Sequence, residues 1–366
     1  MKVCVYAICK NEEKFVTRWI DSMKEADQIV VLDTGSTDNT ISLLEQNGVI
    51  VFKKNIKPWR FDTARNICLS YLDKDVDICV CTDLDEVFES GWRKKIEDLW
   101  KKNKCNQMSY KYVWSHTLNG DEGITFYAQK IHARHNFTWI HPVHEVLQYT
   151  GSDKNIIINA TNVTLHHYPD DTKSRSQYLP LLKLAVKEDK NNDRNMHYLG
   201  RELMFNFQYK DAIKVLKKHL SMPNANWDEE RCASLRYIAK SYFMLNQINK
   251  ADKFYNLACI ESPHSREPRY EYAIFLYSQQ NYIHCLTILH DMFKIEKRNL
   301  TYISNPECWG AIPYDIASLC YYYIGNIKQA ITYSLKALSI DSNNKRILDN
   351  ILFFNQELFK SYKNKK

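Results

Sequence analysis

An apolar run closes in three carboxylates: Ile78-Cys79-Val80-Cys81-Thr82 leads directly into Asp83-Leu84-Asp85-Glu86. Small and β-branched apolar residues in such a run read as a buried strand. Unpaired carboxylates are costly to bury, so this strand must end at a rim. Asp83 and Asp85 stand at i and i+2 and project to one face of an extended backbone. Two hard oxygen donors so spaced suit Mn²⁺ or Mg²⁺ carrying phosphate oxygens. Lys10 and Asn11 follow one apolar stretch, and Asp33 follows another. Farther along, His141, His144 and Glu145 crowd together around Pro142, which forbids a helix interior and so excludes a helical zinc motif. In a loop these side chains can still point into one site.

The elements that must position these residues alternate. Val3–Ile8 reads as a strand, and Phe15, Val16, Trp19, Ile20 and Met23 recur at helical spacing. Ile29–Leu32 is a second strand, ending in Asp33. The turn formers Thr34 to Thr40 suit the cap of a helix over Ile41–Gln46, and Asp33 with Ser36 to Asp38 also fits a purely capping role. Val49–Phe52 is a third strand, Ala64–Tyr71 a third helix, and Asp77–Cys81 a fourth strand. This order predicts an α/β domain with an open, mostly parallel sheet. Ligands in such sheets bind beyond the carboxyl ends of the strands, where Lys10, Asn11, Asp33, Asp83 and Asp85 all fall.

Four pieces, taken together in order and spacing, resemble the nucleotide-binding half of family 2 glycosyltransferases of the GT-A type. They are Ile8-Cys9-Lys10-Asn11-Glu12-Glu13, Val31 to Thr40, Phe61-Asp62-Thr63-Ala64-Arg65-Asn66 and Thr82 to Glu86. The resemblance implies a nucleotide-sugar donor, with a UDP-sugar expected, met by Ile8, Lys10, Asn11, Asp33, Arg65 and Asp83. Within that set it implies that Asp33 contacts the uridine, that Arg65 lies near base or pyrophosphate, and that Asp83 and Asp85 meet ribose and metal. A solvated Arg65 and a Glu86 that merely continues the acidic turn are the plain alternatives.

From about Cys105 the pattern changes to the alternating strands Tyr110–Trp114 and Ile124–Tyr127 around the hairpin signal Asn119-Gly120-Asp121. The His144-Glu145 pair resembles one in family 2 enzymes fused to helical repeats, including S-glycosyltransferases that modify antimicrobial peptides. An inverting transferase needs a base near the acceptor, and Glu145 and His144 are both candidates. Thr161–His167 reads as a strand ending in two histidines. The same resemblance implies that one of them, with His166 the better fit, completes the metal shell or meets the diphosphate.

After Pro169 strand signals stop. Small residues recur at Ala212, Ala251, Cys285 and Ala330, at spacings of 39, 34 and 45, within partial tetratricopeptide patterns. The clearest copy joins Ala239, Tyr242, Ala251, Tyr255, Ala258 and Pro263. Lys294–Pro313 reads as an insertion between repeats. The expected division is thus 1–170 for the GT-A domain and 171–366 for an all-α, TPR-like domain. The repeats suit a peptide or protein acceptor, a homodimer, or bracing alone. Two other readings stay open: a transferase acting on glycan or lipid-linked acceptors, and an inactive repeat scaffold.

Composition agrees with this picture. A chain of 366 residues has room for two cores, and 45% hydrophobic with 25% charged residues is ordinary for a globular protein. The net charge of +7 is spread over scattered lysines, which does not indicate nucleic-acid binding. Lys363-Asn364-Lys365-Lys366 reads as a frayed end. Eleven cysteines without a CxxC pair suggest reduced thiols. With a first strand at Val3 and no long apolar run, a cytoplasmic chain without a membrane span is expected.

Overall fold

The structure is a computed structural model that describes residues 1–117, 119–170, 172–173 and 176–363. The chain divides into two compact units, one of residues 1–188 with Leu300–Tyr302, the other of residues 189–299 with those from Ile303 onward. Asn364 to Lys366, where a frayed end is expected, lie outside the described residues.

In the first unit the elements run β1 (Val3–Cys9), α1 (Glu13–Met23), β2 (Gln28–Asp33), α2 (Thr40–Gln46), β3 (Ile50–Lys53), α3 (Phe61–Ser70), β4 (Ile78–Thr82), β5 (Glu86–Phe88), α4 (Trp92–Asn103), β6 (Gln107–Val113), β7 (Thr125–Ala133), β8 (Phe137–Ile140), β9 (Val146–Tyr149), β10 (Ile157–His167) and α5 (Tyr178–Glu188). Eight strands form one sheet in the order β3-β2-β1-β4-β7-β6-β10-β5, and β8 and β9 pair as a separate hairpin. β3, β2, β1 and β4 are mutually parallel, β7 runs against β4 and β6, and β10 is parallel to β6. This is the mostly parallel sheet expected of a GT-A domain.

β1 is buried along its whole length. Because side chains alternate across a strand, Val3, Val5, Ala7 and Cys9 join one core with α1 and α4, while Cys4, Tyr6 and Ile8 join a second core with α3. A sheet covered on both faces leaves only its strand ends for a site. α3 starts at Phe61, three residues before the expected Ala64, because the Phe61 N–H is satisfied by the Pro142 carbonyl at 3.0 Å. Helix α5 belongs to the first unit, whose main stretch ends at Glu188. It is held there by Arg60–Glu188 at 2.5 Å and by Tyr178 packing against Phe61 and His144.

The second unit is helical: α6 (Asp193–Phe205), α7 (Tyr209–Leu220), α8 (Asp228–Met244), α9 (Ile248–Glu261), α10 (Glu267–Ser278), α11 (Tyr282–Phe293), α12 (Ile312–Tyr323), α13 (Ile327–Ile340) and α14 (Lys345–Lys363). Each helix packs on the next. Ala212, Ala251, Cys285 and Ala330 are all fully buried, as close helix crossings require. At Gly200 a Cβ would come within 2.4 Å of Leu216, so only glycine lets α6 approach α7 this closely. The expected insertion is the long connection between α11 and α12, which contains one short turn over Pro306–Trp309. All eleven cysteines are free thiols, and no helix among the described residues is long and apolar enough to cross a membrane.

Candidate active site

The parallel strands β1, β2 and β4 end on one rim, with Cys9 beside Asp33 and Ala7 beside Thr82. Asp33 is buried and turns inward on its own loop. Its Oδ1 accepts the N–H groups of Gly35 and Ser36 at 2.9 and 3.0 Å, and its Oδ2 accepts the Ser36 hydroxyl. Asn11, in a left-handed conformation, accepts the Thr37 N–H at 2.7 Å through Oδ1 and donates its own N–H to Ser36 Oγ at 2.8 Å. The loops after β1 and β2 are therefore stitched together. Ile8 closes the core beneath them, while Lys10 is exposed. Glu12, paired with Lys173, has its carboxyl pushed up to about 7 by burial, and the fields of Asp85 and Asp83 add to the shift.

The acidic triplet after β4 divides its work. Asp83 is partly open to the rim and meets Arg65 Nη2 at 2.9 Å and Lys130 Nζ at 3.4 Å. Burial works to raise its pKa, but these two cations outweigh burial and hold the carboxyl well below the usual range. Glu86 is fully buried, which raises its pKa despite Lys130. Its Oε1 accepts Lys130 Nζ and the Tyr112 hydroxyl, each at 2.8 Å, and its Oε2 accepts the Asp83 N–H at 2.9 Å. Glu86 thus does more than continue the turn: it opens strand β5 and locks the acidic loop from below.

Asp85 faces a different partner. Its Oδ2 lies 3.4 Å from His167 Nε2, and its carbonyl accepts the Tyr168 N–H at 2.8 Å. His167 Nδ1 lies 2.9 Å from the Trp114 carbonyl, which can only accept, so Nδ1 carries the hydrogen. Nε2 therefore presents either a second proton or a bare lone pair to Asp85. Burial lowers the His167 pKa, but the Asp85 carboxylate outweighs it and the net shift is upward. One carboxylate oxygen and one imidazole nitrogen, the latter fixed by a carbonyl behind it, form a donor pair that fits a divalent cation such as Mn²⁺. The structure brings His167 rather than His166 to Asp85. His167 shares the sheet face of Leu165, which lies opposite Tyr112, whereas His166 points the other way, to His116 at 3.1 Å and Glu89 at 3.3 Å.

Arg65 joins the acidic loop to the loop between β8 and β9. It is buried, its Nε donates to Glu145 Oε1 at 2.5 Å, and its guanidinium lies 5.3 Å from the Trp139 ring. Beside it, Asn66 donates to the Trp139 carbonyl and accepts the Trp139 N–H, both at 2.8 Å. His141 and His144 hold left-handed backbone at φ 77° and 51°, which is strained for such side chains and gives the loop its sharp return toward Glu145. Arg65, Asp83 and Glu145 therefore meet, Asp33 and Asn11 are linked through Ser36, and Asp85 meets His167. Sequence reasoning did not single out Lys130 or Tyr112, and it kept His167 only as the alternative to His166. Lys130 lies within β7, a strand with no motif around it.

Residues 4–151 match the family model Glycosyl transferase family 2. An uncharacterized glycosyltransferase of Rickettsia felis is 31% identical over 117 residues, and one of Rickettsia conorii is 32% identical over the same length. Each alignment covers 30% of this chain, and the chain spans 38% of the length of each of these curated relatives. Among solved structures, MamA is similar at 19% identity and a TM-score of 0.38, covering 49% of this chain and 99% of that one. YrrB, described as a TPR protein with an unusual peptide-binding site, is similar at 17% identity and a TM-score of 0.36, covering 47% of this chain and 81% of that one. Residues 4–151 thus match a family 2 glycosyltransferase domain, and helical repeats follow it in this chain.

Proposed function

We propose that the protein is a metal-dependent, inverting glycosyltransferase that moves a sugar from a UDP-sugar to a protein or peptide acceptor. The observation that carries this reading is the Asp85–His167 pair, whose Nε2 faces the carboxylate at 3.4 Å while Nδ1 is committed to Trp114. These two residues would hold Mn²⁺ or Mg²⁺, which when bound supplies Lewis-acid charge to the diphosphate oxygens. Ile8, Lys10, Asn11 and Asp33 line the uridine side. Asp83, held ionised by Arg65 and Lys130, is set to accept hydrogen bonds from the ribose hydroxyls. In the transfer, an acceptor heteroatom bonds to the anomeric carbon as the bond from that carbon to the diphosphate oxygen breaks. The nucleotide diphosphate leaves with the electron pair, and the acceptor's proton passes to Glu145, with His144 the other candidate. The helical repeats bind the acceptor or a second copy of the chain, and the protein works in the cytoplasm.

Calorimetry with UDP and a panel of UDP-sugars, with and without Mn²⁺, tests the donor; absence of nucleotide binding overturns the reading. Asp85→Ala is expected to abolish the Mn²⁺-dependent part of that binding. Glu145→Gln is expected to keep it and to lower turnover by about 10²–10⁴-fold. Full turnover in Glu145→Gln together with loss in His144→Ala moves the base to His144. Transfer to glycan acceptors with none to peptides overturns the acceptor class alone.

A further inference from the structure

A second cluster of metal-ligating side chains lies in the helical unit, among residues with no part in the transferase site. Asp193 opens α6, His219 lies in the last turn of α7, and Glu230 lies in the first turn of α8. One ligand atom from each lies within 4.8 Å of the other two. His219 is completely buried and Glu230 is 4% exposed, while Asp193 is half-buried and gives the cluster a side open to solvent.

The histidine is what makes this more than a pair of acids. His219 Nδ1 lies 2.9 Å from Ser234 Oγ, and the same hydroxyl lies 2.8 Å from His197 Nδ1. Ser234 has one hydrogen to give, so it donates to one ring and accepts from the other. When it donates to His197, His219 carries its hydrogen on Nδ1 and turns a bare Nε2 lone pair toward two carboxylates. That nitrogen is buried, lies 3.4 Å from Glu230 Oε1, and makes no hydrogen bond. A bare imidazole nitrogen and two carboxylate oxygens facing one another make a ready donor set for a divalent cation.

We propose that Asp193, His219 and Glu230 form a divalent-cation site, distinct from Asp85 and His167, that ties the first three helices of the repeat unit together. One imidazole nitrogen, two carboxylate oxygens and a water on the open side make a tetrahedral set suited to Zn²⁺. Two carboxylates also cancel the charge of the ion. Ser234 behind His219 is the outer partner that fixes the ring's tautomer, as is usual for metal-bound imidazoles. Ligands on one zinc stand about 3.3 Å apart, so Asp193, the least buried of the three, must rotate inward from its 3.1 Å contact with Asn224 as the ion enters.

The test uses the full chain, stripped with a chelator and titrated with Zn²⁺ alone. One tight equivalent is expected, with a rise in melting temperature. X-ray absorption of the loaded protein should show one imidazole and oxygen neighbours at about 2.0–2.1 Å. Asp193→Asn, at a half-buried position, should weaken this uptake at least tenfold, and Glu230→Gln should do the same. Asp85→Ala should leave it unchanged while losing Mn²⁺-dependent nucleotide binding, which separates this site from the proposed donor site. Equal Zn²⁺ affinity in the parent, Asp193→Asn and Glu230→Gln overturns the proposal, as does a bound Zn²⁺ without an imidazole neighbour.

Discussion

Arg65 is 4% exposed and stands between two carboxylates, Asp83 and Glu145. Removing the cation while leaving both acids in place strands buried negative charge, so Arg65→Met should cost about 3–5 kcal/mol, read as a lower urea midpoint. Arg65→Lys should recover only part of that loss, because a single ammonium cannot serve both carboxylates with the planar fork of a guanidinium. The residue types at the rim were legible before any coordinates. Asp83 and Asp85 announce themselves through spacing, and Arg65 through the block Phe61 to Asn66. Lys130 was not legible, since its partners Asp83 and Glu86 are distant in sequence and reach it only through the β4–β7 pairing. His166 and His167 were not separable in the sequence for a related reason. Which of two neighbours faces the site depends on strand phase, and β10 slips register between Ala160 and Thr164.

Helix-to-helix turns carry a second record of the repeat. Phe207, Asn246, Gln280 and Gly325 all have positive φ, and each lies five residues before the buried small residue of its repeat: Ala212, Ala251, Cys285 and Ala330. The left-handed position ends one helix so that the next can fold back, and only the last copy fills it with glycine. Gln280→Gly should therefore stabilise the unit by about 0.5–1 kcal/mol, because an exposed side chain that resists φ 58° is removed. A higher melting temperature with unchanged circular dichroism is the expected result. The period of 39, 34 and 45 residues was visible in the small residues. The left-handed turns were not, because Phe, Asn and Gln at these positions give no common residue signal. The succession of elements in the first unit was legible through β4, with a helix after each of β1, β2 and β3. β5 was missed because three residues, one of them the buried Glu86, make no apolar pattern.

At the scale of the whole chain, acid should act through a histidine that has no part in the chemistry. His132 is fully buried, with Tyr6 Oη at 2.8 Å from one ring nitrogen and the Ala133 carbonyl at 2.7 Å from the other. Burial, with a smaller push from Arg134, brings its pKa down to about 4, against an ordinary 6.5. Between those values the unfolded chain binds the proton and the folded one does not, so stability rises with pH across that window. The contribution is complete above about pH 6.5 and is lost as pH falls through 4, and it amounts to about 3 kcal/mol. Urea midpoints at pH 7 and pH 4.5 should differ by less in His132→Gln than in the parent. The contact between Asn66 and Trp139 sets how the first unit moves. Asn66 meets the Trp139 backbone as a neighbouring strand would, and Arg65, one residue earlier, grips Glu145 at the far side of the same loop. Two consecutive residues of α3 thus tether both ends of the β8–β9 turn. Amide hydrogens of β8 should therefore exchange with solvent no faster than those of α3, the helix and hairpin opening together as a single cooperative unit.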